Sequence, residues 1–223
     1  MGRWLAFDLG LIVCATFSIL RVEVANRVAQ GMPEYLIRTL QSPASSDYER
    51  MNAIWELSMF ETDGSTQALQ RAAREQKPPI NLMAAATLLE RNDISGLPLL
   101  EDVSLRHPSE LRELHLQTYL GSIKDPAAIP SLIHLMASPD VEIRRGAAQA
   151  LCNISLAATI DPLIEGLDDS DVEVQYYSVI GLAKISGKPY NGWYPGRGIF
   201  GQNTQYYLNH WKAWAKESAQ SKP

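Results

Sequence analysis

The sequence predicts an all-α fold, a solenoid of about five helical hairpins closed by an aromatic C-terminal helix. Three observations carry that expectation. The segments "IPSLIHLMASPDVEIRRGAAQALCNIS" (129–155) and "IDPLIEGLDDSDVEVQYYSVIGLAKIS" (160–186) align without a gap at an offset of 31. Inside each, apolar residues recur at helical spacing twice, on either side of a short polar turn. Eight of the chain's eighteen aromatic residues then crowd into positions 190–214, behind the last repeat.

The N-terminal segment, residues 1–24, stands apart. Arg3 is followed by "WLAFDLGLIVCATFSIL", 17 residues broken by one charge, Asp8. The stretch is short for a membrane span and suits the basic and apolar regions of an export signal. Its cleavage point is poorly defined. "VCA" ending at Ala15 leaves a short apolar core, and "LIVC" puts Val13 where a lipobox wants a small residue. The expectation is an export signal or N-terminal anchor, hence a periplasmic or membrane-attached protein with membrane contact only through this segment. The other reading is an amphipathic first helix packed on the body of a cytoplasmic protein.

Residues 33–186 form the repeat region. In the clearest pair Ile129/Ile160, Leu132/Leu163, Ile133/Ile164, Val141/Val172, Ile143/Val174, Leu151/Leu182 and Ile154/Ile185 coincide. Ser138-Pro139 and Asp169-Ser170 are the expected N-caps of the second helices. Weaker copies precede them. Segment 96–123 repeats the early proline and a Pro-led turn, 65–91 places Pro78 and Pro79 at the turn, and 33–60 is the most divergent. A period near 31 signals a stack in which each hairpin covers its neighbour's apolar face.

The segment "DVEIRRGAAQALCNI" resembles the second helix of a HEAT repeat, particularly the short bacterial form also seen in phycobilisome-lyase-like repeats. The resemblance spans 33–186. It is specific at 125–155 and 156–186 and rests on spacing in the first three units; Tyr176 and Tyr177 depart from Arg145 and Gly146 of the neighbouring unit. It implies a HEAT-type, right-handed α-α superhelix that binds a partner, usually protein, along the groove lined by its second helices.

Residues 187–223 hold "PGRGIFG" (195–201), with Gly196, Gly198 and Gly201 in a G-x-G-x-x-G pattern. A dinucleotide loop needs a strand before it and an acid about twenty residues after it. Repeat helices precede this one and only 22 residues follow, so the glycines read as a connection. Beyond it, Tyr207, Trp211 and Trp214 fall at i, i+4 and i+7 of a helix from about Thr204 to Glu217. They are expected to cap the last hairpin, the alternative being an aromatic ligand pocket. A basic tail (five bases, one acid) beside "DDSDVE" (168–173) favours docking there.

Charge and motif content exclude most chemistry. Residues 33–186 carry 22 acids and 12 bases, a net −10 within an overall −5, which repels nucleic acid. His107, His115, His134 and His210 are followed by Pro, Leu, Leu and Trp, so the His-Glu dipeptides of deoxyhypusine hydroxylases, a HEAT-repeat iron family, are missing. The basic face of HEAT-like DNA glycosylases is missing too. Cys14 and Cys152 form neither a disulfide framework nor a zinc site, and Asp168, Asp169, Asp171 and Glu173 lack the order of a calcium loop. No enzyme activity, cofactor or metal is expected.

The expected function is a protein-interaction scaffold; an accessory or cofactor-loading role, bilin-lyase-like, is the alternative. Counting two, six and ten residues from the apolar position that begins each second helix gives outward columns. They are Met51, Trp55, Met59; Leu82, Ala86, Glu90; Glu113, Gln117; Arg145, Gln149, Asn153; and Tyr176, Ile180, Lys184. From these, Trp55, Leu82, Glu113, Gln117, Arg145, Gln149, Tyr176 and Ile180 are the expected contacts for a protein or peptide partner. The alternatives are that residues 21–41 fold over the first column or the phase shifts in that divergent unit, and that a tail residue such as Trp193 covers Tyr176 and Ile180.

Overall fold

The structure is a computed structural model that describes residues 31–106, 116–187 and 193–220. Residues 1–24, Glu113, His107, His115 and Tyr190 therefore lie outside the described residues. All regular elements among the described residues are helical. The chain divides into two compact units, residues 1–72 and 73–223.

In the first unit, α1 (Met32–Gln41) and α2 (Asp47–Leu57) pair as a hairpin. Ser46 begins α2 with a capping box: its hydroxyl accepts from the Glu49 amide, while the Glu49 carboxylate accepts from the Ser46 amide at 2.7 Å. The hairpin buries Leu36 and Leu40 from α1 and Ala53, Ile54 and Leu57 from α2. Helix α3 (Asp63–Glu75) follows and runs across the boundary between the units. Thr62 and Ser65 exchange side-chain-to-amide bonds of 3.1 Å at its start.

The second unit holds α4 (Ile80–Glu90), α5 (Leu97–Arg106), α6 (Leu116–Gly121), α7 (Ile129–Leu135), α8 (Val141–Ile154), α9 (Ile160–Gly166) and α10 (Val172–Ile185). The second helices touch in succession, α4 on α6, α6 on α8 and α8 on α10, while α7 pairs with α8 and α9 with α10. This is the α-solenoid that the period predicts. Each first helix from α5 onward is led by a 3-10 turn, at Ile94–Gly96, Pro126–Ala128 and Ala157–Thr159. Pro98, Pro130 and Pro162 sit in the first turns of α5, α7 and α9, where a missing amide proton costs no helical bond.

The caps of α8 and α10 differ from expectation. They are Asp140 and Asp171, not the Ser138-Pro139 and Asp169-Ser170 pairs. The Asp140 carboxylate accepts from the Glu142 amide at 2.8 Å, and Asp171 accepts from Glu173 and Val174 at 3.0 and 3.2 Å. Asp169 accepts from the Asp171 amide at 2.7 Å, so it shapes the turn that presents the cap.

Close approach of the second helices depends on glycine. A Cβ at Gly146 would lie 2.8 Å from Leu120 Cβ and 3.0 Å from the Gln117 carbonyl oxygen, so α8 can meet α6 only without one. The core between the helices is aliphatic: Leu120, Ala147, Leu151, Leu163, Val179 and Leu182 are all buried. Burial of this kind is worth about 1.5–3 kcal/mol for each large side chain.

Behind α10, α11 (Arg197–Gln202) and α12 (Thr204–Gln220) close the stack. Helix α12 touches both α9 and α10 of the last hairpin. Trp211 is fully buried, Tyr207 and Leu208 are buried, and Trp214 is half-buried. Gly196 is the extended N-cap of α11, and Gly198 and Gly201 lie within it. A Cβ on any of the three would meet nothing within 4 Å, so no neighbour requires a glycine there.

Candidate interaction surface

The first unit leaves one aromatic face open. On α2, Tyr48 and Trp55 are seven residues apart, and Met59 follows Trp55 by four. Tyr48 and Trp55 share a face of α2, Met59 lies in the turn that follows it, and the three are 74%, 62% and 37% exposed. Tyr35 of α1 is exposed as well. Among the described residues these are the large apolar side chains of the first unit that stay exposed.

In the second unit the expected outward columns lie on the flanks between successive second helices. Leu82 is 2% and Ile180 4% exposed, so neither is an open surface residue. Helix α4 is apolar nearly all round, with Ile80, Asn81, Leu82 and Ala84 through Leu89 buried, and leaves no outward side at Leu82. Ile180 packs in a cluster with Ala148, Cys152, Val174 and Tyr177 between α8 and α10. Four polar members of the columns, Gln117, Arg145, Asn153 and Lys184, bond to other repeats. Arg145 clasps Asp171 through Nε and Nη2 at 2.9 and 2.6 Å, and Gln117 Nε2 donates to Glu173 at 3.3 Å. Asn153 donates to the Gly121 carbonyl at 2.9 Å, and Lys184 to the Cys152 carbonyl at 3.2 Å. Both of these last bonds span 32 residues, so they are one contact repeated in register. Arg144 adds a second clasp, to Asp169, at 2.8 and 3.2 Å.

This wiring sets the electrostatics. The bond from Arg145 holds the Asp171 carboxyl below the usual carboxylate range, with the Val174 and Glu173 amides assisting against partial burial. Asp171 in turn raises the basicity of Arg145. Burial pushes the Tyr176 and Tyr177 phenols upward, so both stay neutral. Burial likewise raises the Cys152 thiol, and Lys184 opposes it only in part. A thiol so placed is a packed residue and a poor nucleophile.

The ridge formed by the second helices is covered at its C-terminal end, on α10, by residues other than the one expected. Tyr176 meets Phe200, with ring centroids 5.5 Å apart, and Arg197, whose guanidinium carbon lies 5.3 Å from the Tyr176 and Tyr177 ring centroids alike. Arg197 also donates to the Glu173 carboxylate and to the Tyr177 hydroxyl. Trp193 stacks instead between His210, at 3.3 Å, and Tyr206, at 5.1 Å. Sequence reasoning missed Arg197, Glu173 and Tyr177. The one available signal was the opposition of a basic tail to an acidic last repeat, which Arg197–Glu173 and Lys212–Asp168 realise.

Other chemistry-bearing side chains are dispersed. His134 Nδ1 pairs with Glu101 at 2.6 Å on an exposed surface. Among the described residues no group of three or more His, Cys, Asp or Glu could hold a metal ion, and no helix is long and apolar enough to cross a membrane.

Residues 104–183 match the family of HEAT repeats. The matched segment runs from the end of α5 through most of α10 and contains the Arg144, Arg145, Gln117 and Asn153 bonds between repeats. A crystal structure of an engineered protein is similar in fold, with a TM-score of 0.51 over 85% of this chain and 96% of that one. Its sequence identity is 18%, so the likeness concerns the fold alone. No curated protein matches the chain. HEAT repeats generally serve as protein-interaction scaffolds, and solenoids of this kind are typically non-catalytic.

Proposed function

We propose that the chain is a non-catalytic scaffold that binds a protein or peptide partner on the second-helix surfaces of its repeats. The exposed face of α2 carries the reading: Trp55 and Tyr48 are large aromatics with most of their surface in solvent among the described residues. Exposed Trp and Tyr on a rigid helix are the side chains that most often dominate interface energetics. In the second unit, taken by itself, Gln117, Gln149 and Tyr176 stay partly exposed on the second helices. The acidic body, net −10 over 33–186, favours a basic or neutral protein surface over nucleic acid. Residues 1–24 would export the chain or anchor it to a membrane, so the partner is sought there.

The test is affinity purification of the full-length protein from its host, beside a Trp55→Ser variant. The partner captured by the wild type should be lost from the variant, since removing a central aromatic anchor weakens binding by about 30-fold or more. Equal recovery with both proteins refutes the α2 face as the site. Intact chain recovered free in the cytoplasm refutes export.

A further inference from the structure

Residues 196–202 dock on α10 through very few atoms. Arg197 and Phe200, one helical turn apart, make the side-chain contacts to Glu173, Tyr176 and Tyr177. Ile199 between them is exposed, and a Cβ on Gly196, Gly198 or Gly201 would meet nothing. The six-residue α11 therefore contributes little packing besides these two side chains. Helix α12 meets α11 through Tyr207, whose ring centroid lies 6.0 Å from that of Phe200, and has its own anchors in buried Leu208 and Trp211 and the Lys212–Asp168 pair. Release of α11 would leave the stack capped.

The receiving site has a definite chemistry. Glu173 offers a carboxylate that also accepts from Gln117 and lies 3.8 Å from Arg145 Nε, so it is held in place on the ridge. Two tyrosine rings lie within cation–π range of the guanidinium, and the Tyr176 ring meets the Phe200 ring at a tilt of 58°. An acid and two aromatic rings on one helix face suit an arginine followed by an aromatic residue one turn later.

We propose that Glu173, Tyr176 and Tyr177 form a docking site for a partner peptide presenting an arginine and an aromatic side chain one helical turn apart. The chain's own Arg197 and Phe200 occupy that site until such a partner displaces them. This rests on the scaffold reading and names the chemistry of the partner at the second unit. The tethered segment competes at an effective concentration of about millimolar, so the site reports a partner only when the partner segment is tight or abundant.

The probe is a capped, fluorescently labelled peptide of residues 195–202, PGRGIFGQ, titrated against the full-length protein by anisotropy. The double variant Arg197→Ser/Phe200→Ser should bind it at least tenfold more tightly than the wild type does. Adding Glu173→Gln, or replacing the peptide's arginine or phenylalanine by alanine, should reverse that gain. A folded double variant that binds the peptide no better than wild type overturns the proposal, as does equal binding of the alanine peptides. Should the double variant melt early, hydrogen exchange on the wild type decides. Excess peptide should speed exchange at 197–202 while α12 stays protected, and an unchanged pattern there overturns the proposal. Loss of partner capture by Trp55→Ser, with no peptide binding, would retire this site and leave the scaffold reading in place.

Discussion

Trp211→Ala should cost the second unit about 3–5 kcal/mol, the range for truncating a large aromatic in a packed core. Trp211 has no exposed surface, and it sits on the helix that covers both members of the last hairpin. Its ring packs edge-on against His210 and Trp214, with centroids 5.1 and 5.4 Å away, so the loss reaches beyond buried area. Its buried indole nitrogen has no hydrogen-bond partner among the described residues. That orphan donor already costs about 1–3 kcal/mol, so Trp211→Phe, which removes it and keeps most of the apolar contact, should lose far less. At about 2–4 °C per kcal/mol for a chain of this length, Trp211→Ala should lower the melting temperature by about 6–20 °C. Circular dichroism at 222 nm reads the melt, and hydrogen exchange should show α9, α10 and α12 opening before α4 and α5, because each repeat leans on its neighbour. A Trp211→Ala protein within about 1 kcal/mol of wild type, or one that opens first at α4, would refute the capping role.

Gly146→Ala gains about 1 kcal/mol of helix propensity but forces its Cβ to 3.0 Å from the Gln117 carbonyl oxygen, where backbone must move. Overpacking of that kind costs about 1–3 kcal/mol, so denaturant melts should show a net loss. Gly198→Ala meets open space and should leave stability within about 1 kcal/mol of wild type, on the stabilising side, by the same melts. Asp171 has a folded-state pKa depressed chiefly by Arg145, so its contribution is complete above the unfolded value near 4 and fades as pH falls through the folded one. Asp171→Asn should lower stability at pH 7 by about 1–2 kcal/mol, and its melting temperature should fall less steeply than wild type's below pH 4.

The gapless 31-residue offset made the hairpins legible, and α8 and α10 do end in register at Ile154 and Ile185. Helix starts were less so. The turns before α8 and α10 each hold several capping residues, and sequence alone ranks Ser138, Asp140, Asp169 and Asp171 alike as caps. What selects Asp171 is three-dimensional: Asp169 accepts from the Asp171 amide and so shapes the turn, which brings the Asp171 carboxylate to the Glu173 and Val174 amides while Arg145 holds it there. The 3-10 turns before the first helices carry no apolar period, so periodicity could not show them.

The surface was harder to read for a reason built into stacked repeats. The apolar phase of one helix tells which side meets its own hairpin partner, but the next repeat takes a flank that this phase does not mark. Ile180 fell on such a flank and is buried against α8. Arg145, Asn153 and Lys184 fell there too, and their polar heads staple one repeat to another. A single repeat makes a polar flank residue look like a binding residue, whereas two aligned repeats can tell them apart. Asn153 and Lys184 lie 31 residues apart and reach back to a main-chain carbonyl by the same span, which is what a staple does and a partner contact has no reason to do. Trp55 has no such counterpart: the residues at its column position in the later repeats are Ala86, Gln117, Gln149 and Ile180. An exposed aromatic that the repeat does not reproduce owes nothing to stacking, and that is the physical reason to look for the partner at Trp55.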